Sequence, residues 1–380
     1  MRILHTSDWH LGRQFHGQSL EDDHAAILDQ VHTALTTHTP DVLIIAGDIF
    51  DRASPPASAV RQFNDFIKRV ASETKSAIVM IAGNHDSGDR IDSWATLTNP
   101  NRALIRGPLL ADERPLILED EHGVVAFSAL PFGYEFAARE CFGSDDINAP
   151  ADVIRAQIAA AKQHVPKDAR WVVVAHAFVS GASPSDSERN LGRTVGGIET
   201  VPSDVFDGAH YVALGHLHRP QTVSADHIRY SGSPLAFGFD ESDRQKSMSL
   251  IDLAADGSIK VKELDFIPPR KVRTLRGKLE DLLASGEVSN DFIKIVLTDD
   301  GRLIDPMKRI RALYVNASAL SYERDEALKT VSAPEQVTAS LTNPALVISE
   351  FLMQVRGEAQ TEDEAKIIEA QLKALTDMEA

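Results

Sequence analysis

The sequence predicts a layered α/β fold with mixed β-sheets. Five short apolar, β-branched runs each end in a polar cluster rich in Asp, His, Asn and Gly, and amphipathic helical patterns separate the early runs. Apolar runs without polar alternation are typical of strands that are covered on both faces. The hydrophobic fraction of 43% and the charged fraction of 25% are those of a globular chain. A chain of 380 residues is long enough for two or three domains and is not wholly disordered.

The predicted strands of the first two thirds of the chain are residues 2–6, 41–46, 77–82, 171–175 and 211–214. Residues 21–36 and 57–70 place their apolar side chains on one broad stripe, as amphipathic helices do. The alternation of strand and helix predicts helices packed in layers on a sheet. Three later apolar segments have no helix between them, which indicates antiparallel or mixed strands at residues 124–130, 229–231 and 248–252.

A domain boundary is predicted at Pro268-Pro269, because the candidate site residues stop before it and a basic cluster follows it. Residues 1–268 form the first predicted domain. Residues 269–331 form a small α/β domain, with a first strand, helices at 279–284 and 306–311, and further strands at 292–297 and 313–316. Residues 332–380 are predicted as a linker and two helical segments, the second of which begins with a capping box at Thr361 and Glu364.

Charge and hydropathy exclude several classes of protein. The 39 basic and 56 acidic residues give a net charge of −17, which excludes a basic DNA-coating protein. The apolar runs are far shorter than the roughly 20 residues that cross a bilayer, which excludes an integral membrane protein. The N-terminus is polar where a signal peptide would be apolar, so we expect a cytoplasmic protein. The single cysteine, Cys141, excludes an intrachain disulfide.

Ten polar residues that follow the predicted strands form a candidate site. In open α/β sheets, ligands bind beyond the carboxyl ends of the strands, so these residues are expected to converge. Their carboxylate, imidazole and carboxamide groups, without a thiolate, suit Mn, Fe, Zn or Mg. The donors exceed the needs of one ion and fit two ions about 3.5 to 4 Å apart, with Asp48 well placed to bridge them. The residues are Asp8, His10, Asp48, Asp51, Asn84, His85, Asp86, His176, His216 and His218.

Each short motif of this site also has an ordinary structural explanation. Asp-x-His occurs by chance, Gly-Asp is a common turn, and a single His after a strand is usually a surface or capped residue. The order of all five clusters, each at the end of a strand, favours a dinuclear metal site over these alternatives.

This order of motifs resembles the calcineurin-like metallophosphoesterase superfamily. The matching motifs are Asp8-Trp-His10, Gly47-Asp-Ile-Phe-Asp51, Gly83-Asn-His-Asp86, the isolated His176 and Gly215-His-Leu-His218. Within the superfamily, the sequences around these motifs, together with Tyr230-Ser-Gly-Ser-Pro-Leu235, are similar to nuclease subunits of the double-strand-break repair nuclease family. The resemblance covers about residues 1 to 240, and beyond them it depends on domain order alone.

The resemblance implies a role for each site residue. One ion would be bound by Asp8, His10, Asp48 and His218, and the other by Asp48, Asn84, His176 and His216. His85 would be the catalytic residue, facing the scissile phosphate and either donating to the leaving oxygen or stabilising the transition state. Asp51 and Asp86 would orient histidine or water ligands. The ions would be Mn²⁺ by preference, with Mg²⁺, Fe or Zn as alternatives.

The function that the resemblance implies is a metal-dependent DNA nuclease. It would act as a double-strand exonuclease and a single-strand or hairpin endonuclease in DNA repair, recombination and replication. A small-molecule phosphodiesterase or phosphatase of the same superfamily is the alternative enzyme, although neither needs the chain after residue 268. A scaffold without activity is a third hypothesis, but a scaffold has no need for a complete ligand set and His85.

DNA and a protein partner are implied as well. Possible DNA contacts are Arg13, Arg52, Arg90, Lys271 and Arg273, of which the last two begin what resembles the family's capping domain, which positions DNA. For the three early arginines a solvated surface position is the favoured alternative, and for the basic cluster at Lys271 an exposed strand and helix start explains the residues equally well. The net charge of −17 also opposes DNA at long range. The expected partner is an ABC-type ATPase with a long coiled coil, bound by the helix-loop-helix of residues 332–380 within a heterotetramer that contains a homodimer of this chain. The same helices could pack on their own chain instead.

Overall fold

The computed structural model of the chain describes residues 1–188, 193–194, 197–198, 200–242, 244–285, 288–325, 361, 364–368 and 371–372. The chain divides into two compact units, Met1–Leu320 and Ser321–Ala380. The helices are α1 (Glu21–His38), α2 (Ala57–Glu73), α3 (Gly88–Ser93), α4 (Glu135–Phe142), α5 (Pro150–Lys162), α6 (Leu279–Ala284) and α7 (Pro306–Ile310).

The strands run from the N-terminus to the start of the second unit. They are β1 (Arg2–Thr6), β2 (Gln14–Phe15), β3 (Gln18–Ser19), β4 (Val42–Ala46), β5 (Ala77–Ile81), β6 (Ala103–Arg106), β7 (Leu116–Asp120), β8 (Gly123–Leu130), β9 (Arg170–His176), β10 (Arg193–Thr194), β11 (Gly197–Ile198), β12 (Tyr211–Gly215), β13 (Gln221–Val223), β14 (Ala225–Tyr230), β15 (Ser247–Leu253), β16 (Ile259–Asp265), β17 (Val272–Gly277), β18 (Phe292–Leu297) and β19 (Ala317–Tyr322).

Two six-stranded mixed sheets form the centre of the first unit. The first has the order β16-β15-β1-β4-β5-β6 and the second has the order β13-β14-β12-β9-β8-β7. The strands β1, β4, β5 and β6 are parallel, and so are β8, β9, β12 and β14. Antiparallel strands complete the sheets at their edges. The predicted α/β class with mixed sheets is therefore confirmed.

The core lies in three layers around these sheets. Between the sheets, Ile44 and Val79 of the first share a fully buried cluster with Val172 of the second. On the outer face of the first sheet the cluster contains side chains of α1 and α2, and on that of the second it contains side chains of α5. Each buried side chain of this size stabilises the fold by about 1.5 to 3 kcal/mol. The central strands are thus covered on both faces, which explains their continuous apolar runs.

One core residue also fixes the loop after β1. The indole of Trp9 is 1% exposed and lies edge-on to Phe66 of α2, with 5.2 Å between ring centroids. Its Nε1 donates a hydrogen bond to Thr6 Oγ1 at 2.9 Å. Because Trp9 stands between Asp8 and His10, this anchor holds both residues at the edge of the sheet.

Most of the predicted elements lie within a few residues of the observed ones, and the differences have local causes. Helix α1 begins at residue 21 as predicted, and α6 and β18 have the predicted bounds. The predicted strand at 313–316 is wrong, because Tyr314 closes the turn after α7 by donating its N–H to Ile310 O at 2.9 Å, and β19 begins only at Ala317. Helices α4 and α5 were not predicted.

The segment after Pro268 forms a three-stranded sheet of its own, in the order β17-β18-β19, with β17 and β18 parallel. It also packs on the layers before it. Phe292 lies 4.7 Å from Phe15 between ring centroids, and the Arg270 guanidinium pairs with Asp23 of α1. The predicted division of the chain at residues 268 and 331 stays a prediction.

Most of the predicted helix-loop-helix of residues 332–380 lies outside the described residues. The capping box is the exception. The Thr361 N–H donates to Glu364 Oε2 at 2.9 Å, the Glu364 N–H donates to Thr361 Oγ1 at 3.3 Å, and residues 364–368 are helical. This prediction is confirmed. No helix among the described residues has the length and apolar character needed to cross a membrane.

Candidate metal centre

The candidate ligands meet at the carboxyl ends of the parallel strands of both sheets. Asp8 and His10 follow β1, Asp48 follows β4, and Asn84 follows β5 in the first sheet. In the second sheet His176 is the last residue of β9, and His216 and His218 follow β12. The two sheets pack face to face, so both sets of strand ends open onto one cluster.

The donor atoms of these residues are close enough to share metal ions. Three groups of three residues each have ligand atoms within 4.8 Å of one another: Asp8, His10 and His218; Asp8, Asp48 and His176; and His10, Asp51 and His85. The Asn84 Oδ1 joins them, at 3.0 Å from His176 Nε2 and 3.1 Å from His216 Nδ1. The structure thus brings together all seven residues that were predicted as ligands.

Four of these residues adopt a backbone conformation that L-amino acids avoid. The φ angles are +54° at Asp8, +48° at His10, +48° at Asp48 and +106° at His216. Such conformations cost about 1 to 3 kcal/mol each and persist only where the surrounding structure enforces them. Here they turn the side chains inward from the strand ends, and the neighbouring Gly47 and Gly83 leave room for Asp48 and His176.

Hydrogen bonds from the protein fix which ring nitrogen of each histidine faces the cluster. The Nδ1 of His176 donates to Ala46 O at 2.9 Å, which leaves Nε2 toward Asn84. The Nδ1 of His218 lies 2.7 Å from Ser187 Oγ, and its Nε2 faces His10 Nε2 at 3.2 Å. Metal-binding histidines are oriented by such contacts on the nitrogen that does not bind the ion.

Burial and the charges of neighbouring side chains shift the pKa values of several residues in the cluster strongly. Burial raises the pKa of Asp8 to about 8, with a further contribution from the Asp48 carboxylate. Burial disfavours charge on His176 as well, but attraction by Asp48 outweighs it and raises the pKa of His176 to about 9. Burial lowers the pKa of His216 to about 3, so this imidazole is neutral, as a metal ligand must be.

The donor set fits divalent metal ions. It combines two carboxylates and four imidazoles that are each less than 5% exposed with one carboxamide, and it contains no thiolate. The Nδ1 of His10 is buried without a hydrogen-bond partner. Burying charged and polar metal-donor atoms without a partner costs several kcal/mol of free energy, unless a cation or a proton is bound to them.

His85 is held differently from the seven candidate ligands. Its backbone N–H donates to Asp48 Oδ1 at 2.9 Å, and its Nδ1 donates to Asp51 O at 2.8 Å. The Nε2 lies 3.9 Å from Asp48 Oδ2, beyond hydrogen-bond range, and the ring stands edge-on to His10 with 4.7 Å between centroids. This nitrogen can therefore exchange a proton with a group that enters the site.

The two carboxylates that were expected to orient histidine or water ligands act in different ways. Asp86 accepts backbone N–H donors from Ile49, Phe50 and Gly83 at 2.9 to 3.1 Å, so it joins the loops that carry Asp48 and Asn84. The Asp51 carboxylate lies 3.7 Å from the ring of His10, close to the ligands themselves.

A buried network behind His218 was not predicted. Ser187 Oγ, which contacts the His218 ring, also donates to Glu241 Oε1, and Glu241 pairs with Lys246. Lys246 Nζ donates to His218 O at 2.8 Å, and the His218 N–H donates to Glu188 Oε1 at 2.6 Å. Ser187 and Glu188 are adjacent in sequence and Glu241 and Lys246 follow much later, with no spacing typical of a metal site, so no motif could have identified them.

The predicted DNA-contact residues differ in where they lie relative to the cluster. Arg13 reaches the cluster, where its guanidinium donates to Asp51 Oδ1 at 3.3 Å and lies over the Phe237 ring. Arg52 and Arg90 are exposed close to it in sequence. Lys271 and Arg273 line a separate groove, together with Arg244 and Arg270, which were not predicted.

Comparison with known proteins agrees with this geometry. The family model of the calcineurin-like phosphoesterases matches residues 1–220, which contain every candidate ligand, and the model described as the Type 5 capsule protein repressor C-terminal domain matches residues 268–356. The chain is also 29% identical to SbcD, the D component of the nuclease SbcCD, of Staphylococcus saprophyticus over 378 residues, covering 99% of this chain and 98% of that protein. The chain therefore belongs to the calcineurin-like phosphoesterase family, whose members bind divalent metal ions and hydrolyse phosphate esters.

Proposed function

We propose that the protein is a metal-dependent DNA nuclease that hydrolyses phosphodiester bonds in DNA repair and recombination. The observation that carries the proposal is the buried cluster of oxygen and nitrogen donors at the sheet edge, in a chain that is similar over its whole length to a nuclease component. The cluster supports the chemistry of the proposed reaction, and the similarity supports DNA as its substrate.

Two divalent ions would be held by residues of the cluster, with Mn²⁺ as the first choice and Mg²⁺, Fe or Zn as alternatives. Asp8, His10, Asp48 and His218 would hold one, and Asp48, Asn84, His176 and His216 the other. When bound, such a pair supplies Lewis-acid stabilisation of the phosphoryl oxygens and lowers the pKa of water. The Asp48 Oδ2 lies 3.5 Å from His176 Nε2 and 3.7 Å from His10 Nε2, so it stands between the two sets of ligands.

His85 would be the catalytic acid. Its Nδ1 is held by the Asp51 carbonyl, which fixes the plane of the ring and directs Nε2 into the site. From there Nε2 would donate a proton to the oxygen that leaves phosphorus. Asp51 and Asp86 would support this arrangement, the first through its carbonyl and the second by joining the ligand loops.

The net charge of −17 makes it reasonable that a partner contributes affinity for DNA. We propose that the chain acts with an SbcC-like ABC-type ATPase that carries a long coiled coil, as a homodimer within a heterotetramer. The supports are the similarity to a component of SbcCD and the match of residues 268–356 to a C-terminal domain model. Arg13 and the groove that contains Arg244, Lys271 and Arg273 are the candidate contacts to the DNA backbone.

The test is a cleavage assay of the full chain with Mn²⁺, alone and with an SbcC-like ATPase, on linear duplex DNA, a DNA hairpin and a small phosphodiester. We expect both DNA substrates to be cut. Substitution His85→Ala is expected to abolish cleavage while the bound metal, measured by elemental analysis, is retained.

The matched control is His122→Ala, which removes a 41% exposed histidine side chain from the β7–β8 turn and should leave cleavage unchanged. Turnover of the small ester without any cleavage of DNA, even with the ATPase present, would favour the small-molecule phosphodiesterase instead. Cleavage that survives His85→Ala would remove the catalytic role of His85 and leave the nuclease assignment in place.

A further inference from the structure

An apolar cavity opens directly beside the candidate metal centre. Its volume is about 200 Å³, and its wall includes His176 together with Phe132, Tyr134, Val153 and Phe178. Sites for drug-sized ligands typically have about 300 to 1,000 Å³. This cavity, which we call the aromatic pocket, is therefore suited to a single ring system rather than to a larger ligand.

Aromatic rings lead from the metal centre through the aromatic pocket to the surface. The Phe132 ring stands edge-on to His176 at 6.5 Å between centroids and edge-on to Tyr134 at 5.0 Å. The Tyr134 ring is nearly parallel to that of Phe136, at 5.7 Å and 12°. On the other side, Phe178 lies 6.3 Å from His216.

The outermost of these rings are unusually exposed. Tyr134 is 49% exposed and Phe136 is 68% exposed, although aromatic side chains bury about 150 to 250 Å² each when they are inside a protein. Exposed aromatic rings in series are the platform on which proteins stack the bases of single-stranded nucleic acid, because every base offers a π-face. Tyr134, which lines the pocket, and Phe136 next to it therefore offer a surface of the kind on which a base stacks.

The charge of the pocket indicates which part of a nucleotide it would accept. Among its described lining residues Glu135 is the one carboxylate, and none is Lys or Arg. A phosphate would be repelled by Glu135 and has a better site at the ions. A nucleobase is uncharged, and the exocyclic amine of adenine, cytosine or guanine can donate to a carboxylate.

We propose that the aromatic pocket receives an unpaired nucleobase of the DNA strand whose phosphate is held at the metal centre. This inference depends on the proposed nuclease function and specifies the substrate of that same site. A base inside a duplex is stacked on both faces and paired at its edge, so it must leave the helix to enter the cavity. Frayed ends and hairpin loops therefore supply an unpaired base at a lower free-energy cost than an intact duplex does.

The first measurement is the fluorescence of 2-aminopurine, a base that loses emission on stacking, placed in turn at each loop position of a DNA hairpin. The full chain is mixed with each hairpin in Ca²⁺, and gel electrophoresis checks that the strands stay intact. We expect a several-fold loss of emission at one loop position. The double substitution Tyr134→Ala, Phe136→Ala should remove that loss.

The second measurement is the rate of cleavage in Mn²⁺ of a hairpin that carries either a normal or an abasic nucleotide at that position. The abasic nucleotide is expected to lower kcat/KM of the unsubstituted chain by about 5- to 100-fold, as loss of one stacked base does. The doubly substituted chain should be slower on the normal hairpin by a similar factor and indifferent to the abasic nucleotide. The control is Ile117→Ala, which removes a 45% exposed apolar side chain from edge strand β7.

The outcomes separate this inference from the proposed function. Cleavage of the hairpin with equal rates for both chains and both substrates would overturn the pocket assignment and leave the nuclease intact. Failure of the unsubstituted chain to cut any DNA would reject the nuclease, and the inference with it. An unchanged DNA response combined with weaker association of an SbcC-like ATPase would mean that the rings bind a protein side chain, which would also overturn the proposal.

Discussion

Strand β9 begins at Arg170 and ends at His176, and its two ends bury charge in opposite ways. At the first end Arg170 donates to Asp120 Oδ1 at 2.5 Å and to Gly123 O at 3.0 Å, and the N-terminal ammonium pairs with Asp120 at 2.7 Å. At the second end, carboxylates and imidazoles converge on one another. The buried charge at the first end is neutralised by a side chain or terminus of opposite charge. The buried donors at the second end are arranged so that a bound cation would neutralise them.

The pKa values of the carboxyl groups at the two ends show the same difference. Burial opposes ionisation of Asp120, but Arg170 and the N-terminal ammonium outweigh it and hold the pKa of this carboxyl well below its usual range. For Asp8 burial prevails and raises the pKa to about 8. The backbone of Asp8, His10, Asp48 and His216 also has positive φ angles, which cost free energy. The end of β9 at His176, which we call the metal end, is therefore built for function at the expense of the stability of the fold.

The largest expected effect comes from Asp48→Asn. Removing the central carboxylate should lower activity by about 10³-fold or more, since it removes several kcal/mol of charge stabilisation. The stability of the ion-free protein should change by no more than about 1 kcal/mol, because neutral Asn avoids the cost of burying the Asp48 carboxylate, which offsets the lost attraction to His176. Asn also keeps an Oδ1 acceptor for the His85 N–H. Steady-state kinetics and chemical denaturation measure the two effects, and a collapse of stability without ions would contradict this view of the metal end.

The complementary change at the opposite end is Asp120→Asn. It should leave the activity per folded molecule unchanged and lower the free energy of unfolding by about 3 kcal/mol, because Arg170 and the N-terminus lose their partner. The pKa of Asp120 is lowered in the folded state, so its stabilisation is present above about pH 4 and is lost as the pH falls further. Urea denaturation at pH 7 and pH 3 tests this, and an equal difference at both pH values would refute it.

A smaller effect is expected from Glu241→Gln, in the network behind His218. Loss of the charge should loosen Ser187 and the imidazole that it contacts, and so weaken Mn²⁺ binding by about 10- to 100-fold. Glu119→Gln is the control, since it makes the same change at an exposed position of β7. Isothermal titration with Mn²⁺ measures both, and equal affinities in the two variants would exclude a role for the network in ion binding.

The smallest expected effect is the change in Mn²⁺ affinity over a single pH unit. In the ion-free protein at pH 7 Asp8 and His176 both hold protons, since their pKa values are raised to about 8 and about 9. Both must lose them to bind an ion, so Mn²⁺ affinity should fall by roughly tenfold or more for each pH unit below 8. Calorimetry in buffers of different ionisation enthalpy would detect the released protons, and an affinity that is flat from pH 8 to pH 6 would contradict the two pKa shifts.

The strands and the candidate ligands could be predicted because their signals are local. A strand buried on both faces requires an unbroken apolar run, as at residues 42–46, and the residue that ends such a run lies at the sheet edge wherever the sheet packs. Helix α5 was missed although Pro150 stands at its first position and Val153, Ile154 and Ile158 lie on one buried face. The strand predicted at 313–316 failed because Tyr314 is drawn into the turn after α7.

The sequence by itself determined the fold class, the donors that the strand ends carry and their order along the chain. Only the tertiary structure decided that Ser187, Glu241 and Lys246 stand behind His218, and that Phe132 and Tyr134 line one cavity with His176. The physical reason is that periodicity and spacing encode contacts within one element, whereas these contacts join elements far apart in sequence. They exist only after the two sheets have packed and brought their strand ends to one edge.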